Sequence, residues 1–239
     1  MEVNYQPRTQ QQTCPPYRQI RALYDDSTIT VYQAYNRIIA EAAVEAQRLN
    51  ASPTYRAGRM TWIKPSWAWM MYRSGYSFKD PGQERILAIT MKREHFIALL
   101  KRGVLTKKRR PPLEESSSPS SSSRANNSKN NDNTYSDANS SSSADVRIQW
   151  DPERTVRLEP LPYRSIQIGI PAALSSIWAN EYITEIRDVT DRAQELKRVL
   201  EKRPGITAAE LAELGLVPEE RPFLVSDELA AILEMDVQV

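Results

Sequence analysis

A run of serine and asparagine between Pro111 and Ala144 divides the 239-residue chain into two patterned blocks. The run reads PPLEESSSPSSSSRANNSKNNDNTYSDANSSSSA, and it holds too little apolar surface to offset the entropy cost of ordering it. We therefore predict that 111–144 is a disordered surface insertion. The block before it covers about 17–105, and the block after it, 146–203, is short.

Two organisations fit this pattern, namely two domains joined by a linker or one domain interrupted by a loop. The second is favoured, because the block 146–203 begins with strand-like pieces and has few means of closing a core of its own. We predict a single α+β domain over 17–203, with a small split sheet and flanking helices. A flexible N-terminus (1–16) would precede it, and a C-terminal helical extension (204–239) would follow it.

The predicted insertion should be dispensable, because the cost of closing a flexible loop changes only slowly with its length. Joining Pro112 to Ala144 through a short Gly/Ser bridge should leave the melting temperature nearly unchanged, as measured by calorimetry. Loss of the cooperative unfolding transition would show that residues 113–143 take part in the fold.

Local patterns predict the main elements. Residues 28–35 (TITVYQAY) alternate and are rich in β-formers, which predicts a strand, and 38–49 has the apolar spacing of an amphipathic helix. Ser66 is placed to cap a helix that ends before Gly75. Further strands are predicted at 60–64, 85–91, 146–150, 156–158 and 164–170, and further helices at 93–101, 171–186, 191–202 and after the capping box at 207–210.

The net charge of +2 conceals opposite charges on the two halves of the chain. Residues 1–110 carry 19 Lys and Arg against 8 Asp and Glu, a balance of +11, and residues 111–239 carry 13 against 22, a balance of −9. One interpretation is that the halves pack together and neutralise each other, and the other is that the first half faces phosphate groups. The acidic second half favours the first interpretation, because it would be unusual in a protein that only binds nucleic acid.

Several classes of protein are disfavoured by composition. A single cysteine, Cys14, allows no internal disulfide framework, and with one histidine, His95, no metal site is expected. No apolar run reaches the roughly 18 residues of a membrane helix, and the N-terminus lacks the apolar core of a secretory signal. We expect an intracellular protein that contacts no membrane. It would be cytoplasmic, or nuclear if the basic cluster KKRR (107–110) is an import signal.

The stretch RMTWIKPSWAWMMYRSGY (59–76), which we call the aromatic–cationic segment, concentrates three Trp, three Met and two Tyr beside Arg59, Lys64 and Arg73. Helical spacing places Trp69, Tyr72 and Arg73 on one face. Such a face can stack a base and grip a phosphate, because a guanidinium stacks on rings and pairs bidentately with oxyanions. Lys64 precedes the helix start, where free amides attract anions. The alternative is that both helix faces are buried and Arg73 pairs with a carboxylate.

Several phrases resemble the family known as domain of unknown function 4291. Besides the aromatic–cationic segment they are RALYDD (21–26), VYQAY (31–35), GQERILAI (82–89), QWDPER (149–154) and LPYRSIQIGI (161–170). The resemblance covers nearly all of the chain except its first residues, the predicted insertion and the far tail. It implies that both blocks form one domain, and it implies no activity.

A weaker resemblance is to the ADP-ribosyltransferase-like superfamily, whose first strand offers a His or Arg to NAD and whose later strand offers a Glu to the cationic ribose as nicotinamide leaves. It puts Gln33 at the first position, and Gln167 or Glu84 at the last. Gln167 is a departure from the pattern, because glutamine supplies only a dipole where glutamate supplies a full charge.

This resemblance implies a nucleotide-handling enzyme with NAD as its cofactor. The implied site has Tyr32 and Gln33 beside the ribose, Arg59, Lys64 and Arg73 at the pyrophosphate, Trp69 and Tyr72 stacked on the nicotinamide or adenine, and Glu84 or Gln167 facing the reacting ribose carbon. Two alternatives stay open. One is a non-catalytic module that binds RNA or a phosphorylated partner on the same surface, and the other is an accessory protein that only contacts partners.

Overall fold

The computed structural model describes residues 15–106 and 144–236. The predicted insertion, apart from Ala144, lies outside the described residues. So do the basic cluster 107–110 and the predicted flexible N-terminus up to residue 14.

The described chain folds into nine strands and seven helices, joined by short 3₁₀ turns and one π-turn (Trp178–Tyr182). The strands are β1 (Arg21–Ala22), β2 (Thr28–Tyr35), β3 (Thr61–Ile63), β4 (Arg85–Lys92), β5 (Gly103–Leu105), β6 (Val146–Arg154), β7 (Pro160–Ile170), β8 (Ile183–Asp188) and β9 (Arg221–Pro222). The helices are α1 (Arg37–Ala46), α2 (Trp67–Ser74), α3 (Arg93–Lys101), α4 (Ser175–Ile177), α5 (Thr190–Lys202), α6 (Ala208–Glu213) and α7 (Asp227–Ile232).

The main strands form a split sheet. One part has three antiparallel strands in the order β2-β4-β8, and the other has four strands in the order β3-β7-β6-β5. They meet at one backbone bridge, in which Tyr32 N donates to Lys64 O at 2.7 Å and Lys64 N donates to Tyr32 O at 3.2 Å. The small pair β1-β9 stands apart. The predicted α+β fold with a small split sheet and flanking helices is confirmed.

Side-chain alternation decides which faces of the sheet are buried. In β2, Ile29 and Val31 enter the main core, whereas Tyr32 enters a second core formed with α2, α5 and α6. The three-stranded part is therefore buried on both faces. In β7, Ile166 and Ile168 enter the main core. The other face of the four-stranded part carries polar residues, and α2 packs beside it against β6.

Helix α2 begins and ends where the sequence predicts. Ser66 Oγ accepts a hydrogen bond from Trp69 N at 3.1 Å, and Gly75 ends the helix in the left-handed region with φ of 58°. Glycine adopts this conformation without the strain that a Cβ atom would add. The cap and the glycine thus fix the length of the helix that carries Arg73.

Two predictions of local structure are wrong. The predicted helix 171–186 consists of short helical turns up to Tyr182, followed by strand β8. The β-branched residues of β8 pair with the open edge of β4, and this pairing outweighs local helix propensity. The predicted strand 156–158 is a turn with φ of 70° at Leu158, because β6 and β7 must reverse direction there.

The segment after Arg203, set apart in the sequence as an extension, packs into the main body of the protein. Phe223, Leu229 and Leu233 are buried in the main core. Trp150 Nε1 donates to Leu233 O at 3.0 Å, and β9 pairs with β1. Across 15–106 and 144–236, no helix is both long enough and apolar enough to cross a membrane.

Candidate functional site

The four-stranded part of the sheet has one apolar face and one polar face. In the pairing of β6 with β7, Gln149 lies opposite Gln167 and Asp151 lies opposite Ser165. On β3, Ile63 points into the main core opposite Ile168, so the next residue, Lys64, stands on the other face beside Gln167. We call the face that carries Lys64, Gln149, Asp151, Ser165 and Gln167 the polar face.

Asp151 is held at the centre of the polar face by two glutamine amides. Gln149 Nε2 donates to Asp151 Oδ1 and Oδ2, at 2.9 Å each, and Gln167 Nε2 donates to Asp151 Oδ2. Because both amide nitrogens point at the carboxylate, the two Oε1 atoms are left as acceptors. Neither Oε1 atom accepts a hydrogen bond from another described residue.

Lys64 is a largely buried residue whose amine has no partner in the described chain. The residue is 5% exposed, the Nζ atom keeps some contact with solvent, and it makes neither a hydrogen bond nor an ion pair with a described residue. Burial, with a smaller contribution from the charge of Arg73, lowers its pKa to about 7, and the charge of Asp151 opposes part of this decrease. At neutral pH a large fraction of this side chain is therefore a neutral amine, and an anion brought beside it would restore its charge.

Arg73 supplies a second cation to the same place. It lies exposed in the last turn of α2, and its charge acts directly on Lys64. The carboxylate partner considered for Arg73 in the sequence is not found among the residues in 15–106 and 144–236. Arg73, together with Lys64 in its protonated form, faces only the charge of Asp151, and an anionic ligand would balance the remaining positive charge and favour protonation of Lys64.

The two aromatic residues proposed for base stacking already stack with other groups. The Trp69 and Tyr72 rings are stacked at 4.8 Å between centroids, and the Arg154 guanidinium lies 3.7 Å from the Tyr72 centroid. A guanidinium so close to the centroid leaves no room for a second ring on the same face of Tyr72. The two faces of Tyr72 are thus covered by Trp69 and Arg154, and a planar ligand would stack on Arg154 instead.

The first amides of α2, expected to attract an anion beside Lys64, are satisfied by the chain itself. Trp67 N donates to Glu220 Oε1 at 2.5 Å, and Trp69 N donates to Ser66 Oγ, whose hydroxyl in turn donates to Glu153 Oε1 at 3.0 Å. Burial raises the pKa of both carboxyl groups, that of Glu220 to about 8. Glu220 as a whole residue is partly exposed, but its carboxyl group reaches inward to Trp67 N, and burial of that group raises its pKa. The start of α2 is therefore closed to an external anion, and the exposed cation of this helix, Arg73, lies at its other end.

Gln33 and Arg59 belong to a different polar cluster. Gln33 Nε2 donates to Thr61 Oγ1 at 2.7 Å and to Trp62 O at 3.1 Å, while its Oε1 accepts from the Tyr35 hydroxyl at 3.2 Å. Arg59 is exposed, and its charge acts on the hydroxyls of Tyr35 and Tyr55. No described contact joins either residue to Lys64.

Glu84 also lies apart from the polar face, as does the side chain of Tyr32, although the Tyr32 backbone pairs with Lys64. Glu84 Oε1 accepts from Arg37 N at 2.7 Å and so satisfies the first turn of α1. Tyr32 is 2% exposed, packs edge-to-face on Trp67 at 5.3 Å, and has a pKa raised by burial. Of the residues proposed from sequence, the structure brings together Lys64, Arg73 and Gln167.

The site also contains Gln149, Asp151 and Arg154, which sequence reasoning missed. The signal was the alternation of polar residues in IQWDPER, where Gln149 and Asp151 flank the core residue Trp150. Only the pairing of β6 with β7 places them beside Gln167.

A groove of about 490 Å³ lies elsewhere, between Phe78 and the outer side of α5. Its charged residues pair along the helix, Lys197 with Glu201 and Arg198 with Glu195, which is typical of a solvated helix surface. In the described parts of the chain no three His, Cys, Asp or Glu side chains are grouped so that they could hold a metal ion.

Fold and site together define an α+β protein whose split sheet carries a polar face flanked by cations. The chain belongs to the family described as Domain of unknown function (DUF4291), which it matches over residues 19–223. No curated protein and no solved structure matches it significantly. Because the match runs through both blocks, the family resemblance seen in the sequence is confirmed.

Proposed function

We propose that this protein handles nucleotides and that it binds their phosphate groups between Lys64 and Arg73 on the polar face. The observation that carries the proposal is Lys64, a residue 5% exposed whose amine reaches solvent without a hydrogen bond or ion pair to any described residue. Enclosing most of a lysine while its amine stays unpaired costs free energy, because desolvation disfavours the charged form. A phosphate ligand gives such a residue a role that the fold alone does not.

Neighbouring groups favour a nucleotide over a bare phosphate. Arg73 offers the forked donors that match phosphate oxygens. The free Oε1 atoms of Gln149 and Gln167 are suited to accept hydrogen bonds from ribose hydroxyls. The guanidinium of Arg154, backed by Tyr72, offers a flat surface to a base.

NAD is the first nucleotide to test, because the weaker superfamily resemblance implies it, with ADP-ribosyl transfer as the reaction. Of the residues proposed for catalysis, Gln167 lies on the polar face, hydrogen-bonded to Asp151. Asp151 would supply, beside Gln167, the full negative charge that favours a cationic ribose. Gln33 and Glu84 would then act in the fold, through Thr61 and Arg37, and not in the reaction.

The ligand class can be tested with a thermal-shift panel of NAD, ADP, inorganic pyrophosphate and short single-stranded RNA. We expect NAD or ADP to raise the melting temperature, because ligands that bind only the folded state stabilise it. A shift with RNA and none with nucleotides would favour the non-catalytic RNA-binding module. No shift with any of the four would overturn the proposal.

Arg73→Ala should separate binding from stability. The fold should survive, since an exposed helix position accepts alanine readily. Affinity for the nucleotide selected by the panel should fall about ten- to a hundredfold, the worth of a charge-assisted hydrogen bond of roughly 1.5–3 kcal/mol. Arg73→Lys should recover only part of the loss, because an ammonium lacks the guanidinium fork.

The matched control is Arg198→Ala, which removes an exposed helix arginine from α5, where Arg198 pairs with Glu195. It should leave affinity unchanged. An Arg73→Ala protein that melts several degrees lower and still binds as tightly as the parent would show that Arg73 is a structural residue.

A further inference from the structure

We propose that Lys64 is an amine nucleophile that forms an imine with the carbonyl carbon of a phosphate-bearing aldehyde or ketone. The choice of a phosphate-bearing compound rests on the proposed function, whereas the reactivity of the amine does not.

A lysine reacts as a nucleophile only in its neutral form, and proteins obtain that form by desolvating the amine or by placing a second cation beside it. Lys64 meets both conditions, since it is 5% exposed and Arg73 lies within electrostatic reach. In the described chain no hydrogen-bond donor engages its nitrogen lone pair, and no acceptor engages its protons. Burial lowers the pKa of Lys64 to about 7, in keeping with this geometry.

The backbone holds Lys64 rigidly. Its N–H and C=O both bond to Tyr32, which joins the two parts of the split sheet at this residue. The preceding side chain, Ile63, is anchored in the main core. A residue fixed on both sides places its side chain more reproducibly than a loop lysine does, as a nucleophile requires.

The reaction needs no redox partner. The Lys64 nitrogen attacks the carbonyl carbon, a C–N bond forms, and one N–H proton passes to the carbonyl oxygen to give a carbinolamine. The second N–H proton then passes to the hydroxyl group, the C–O bond breaks, and water leaves behind a C=N bond. Asp151, whose charge acts on Lys64 and whose carboxylate accepts hydrogen bonds from Gln149 and Gln167, would carry both protons in turn.

The test uses pyridoxal 5′-phosphate, which carries an aldehyde and a phosphate, with the full-length protein at pH 7. Borohydride reduction fixes any imine, and peptide mass spectrometry locates it. Lys64 should be labelled at least about tenfold faster than the exposed Lys92, the difference expected of an activated amine. Arg73→Ala should slow labelling of Lys64, and so should replacement of the probe by pyridoxal, which lacks the phosphate. Lys64→Arg should remove the fast label and leave the slow label on Lys92.

Failure of this inference can be told apart from failure of the proposed function. If Lys64 is unlabelled, or labelled no faster than Lys92, the imine is overturned, while Arg73-dependent binding of pyrophosphate would keep the phosphate site. If pyridoxal and its phosphate label Lys64 equally fast and pyrophosphate does not slow either, the phosphate part of the proposal is overturned and the reactive amine stands.

Discussion

Lys64→Met is expected to raise the free energy of unfolding at pH 7 by about 3 kcal/mol while abolishing tight phosphate binding. The fold holds the Lys64 amine at a pKa of about 7, against an ordinary value of 10.5. Each unit of this difference is worth about 1.4 kcal/mol, so burial of the residue together with the charge of Arg73 costs the fold on the order of 3–5 kcal/mol. Methionine has a similar shape and no charge to desolvate, and its flexible chain fits irregular core sites.

Urea unfolding at pH 7 and at pH 10 measures this effect. Between about pH 7 and 10.5 the unfolded chain keeps a proton on Lys64 that the folded chain has lost, so this group makes the parent more stable as pH rises. The advantage of Lys64→Met should therefore shrink at pH 10. The control Lys92→Met changes an exposed lysine, and such substitutions usually stay within about 0.5 kcal/mol. A Lys64→Met protein less stable than the parent would mean that Lys64 has a structural partner.

The parent protein is expected to lose stability as pH rises from about 5 to 8, because Glu220 must release its proton, and Glu220→Gln should remove this loss. The folded chain keeps a proton on Glu220 up to a pKa of about 8, mainly through burial of the carboxyl group, whereas the unfolded chain releases it near 4.5. The contribution of this group is therefore fully present below pH 4.5 and is lost as pH rises through 8. At pH 8 the variant should be more stable than the parent by on the order of 2 kcal/mol.

Unfolding midpoints across pH 5 to 8 test this second effect. Glutamine keeps an oxygen that can accept from Trp67 N, so helix α2 should remain intact. The neighbouring charges of Glu153, Arg21 and Arg192 are unchanged in the variant, so the difference between the two curves isolates Glu220. Glu219→Gln, at the exposed preceding residue, is the matched control and should follow the parent curve. A parent curve parallel to that of Glu220→Gln would show that the carboxyl group is not desolvated.

Elements with strong local signals could be predicted from sequence. The alternation of TITVYQAY gives β2, and Ser66 with Gly75 gives both ends of α2. Strand β8 could not be predicted, because its stability comes from the edge of β4, almost a hundred residues earlier in the chain. The same limit hides Glu220, which reaches the start of α2 from 153 residues away.

The candidate site was predictable only in part, for the same reason. Lys64 and Arg73 are identified by residue type and Gln167 by the weaker superfamily resemblance, whereas Asp151 joins them through the register of β6 with β7. The helical pattern leaves Tyr72 with an open face, and the structure fills that face with Arg154 from another strand. Residue types in the sequence therefore indicate a cationic site with aromatic side chains. Which of these side chains contact one another is decided by the pairing of strands that are distant in the sequence.

Part of the opposite charge on the two halves of the chain is used in ion pairs between them. Ion pairs join them at Arg18 with Glu234 and at Arg85 with Asp188, as the neutralisation interpretation expects. Lys64 and Arg73 have no such carboxylate partner in the described chain. The two interpretations of the charge pattern are thus compatible, because some cations pair across the halves while Lys64 and Arg73 stay available to a ligand.

The most direct test of a phosphate site at Lys64 is a nuclear magnetic resonance titration of lysine labelled with carbon-13 at Cε. One signal, identified by its loss in Lys64→Met, should titrate near pH 7 in the free protein. With saturating inorganic pyrophosphate its midpoint should rise by at least about one unit, because an adjacent anion favours the charged amine. A Lys64 signal that titrates near 10.5, or one that pyrophosphate does not move, would contradict the account.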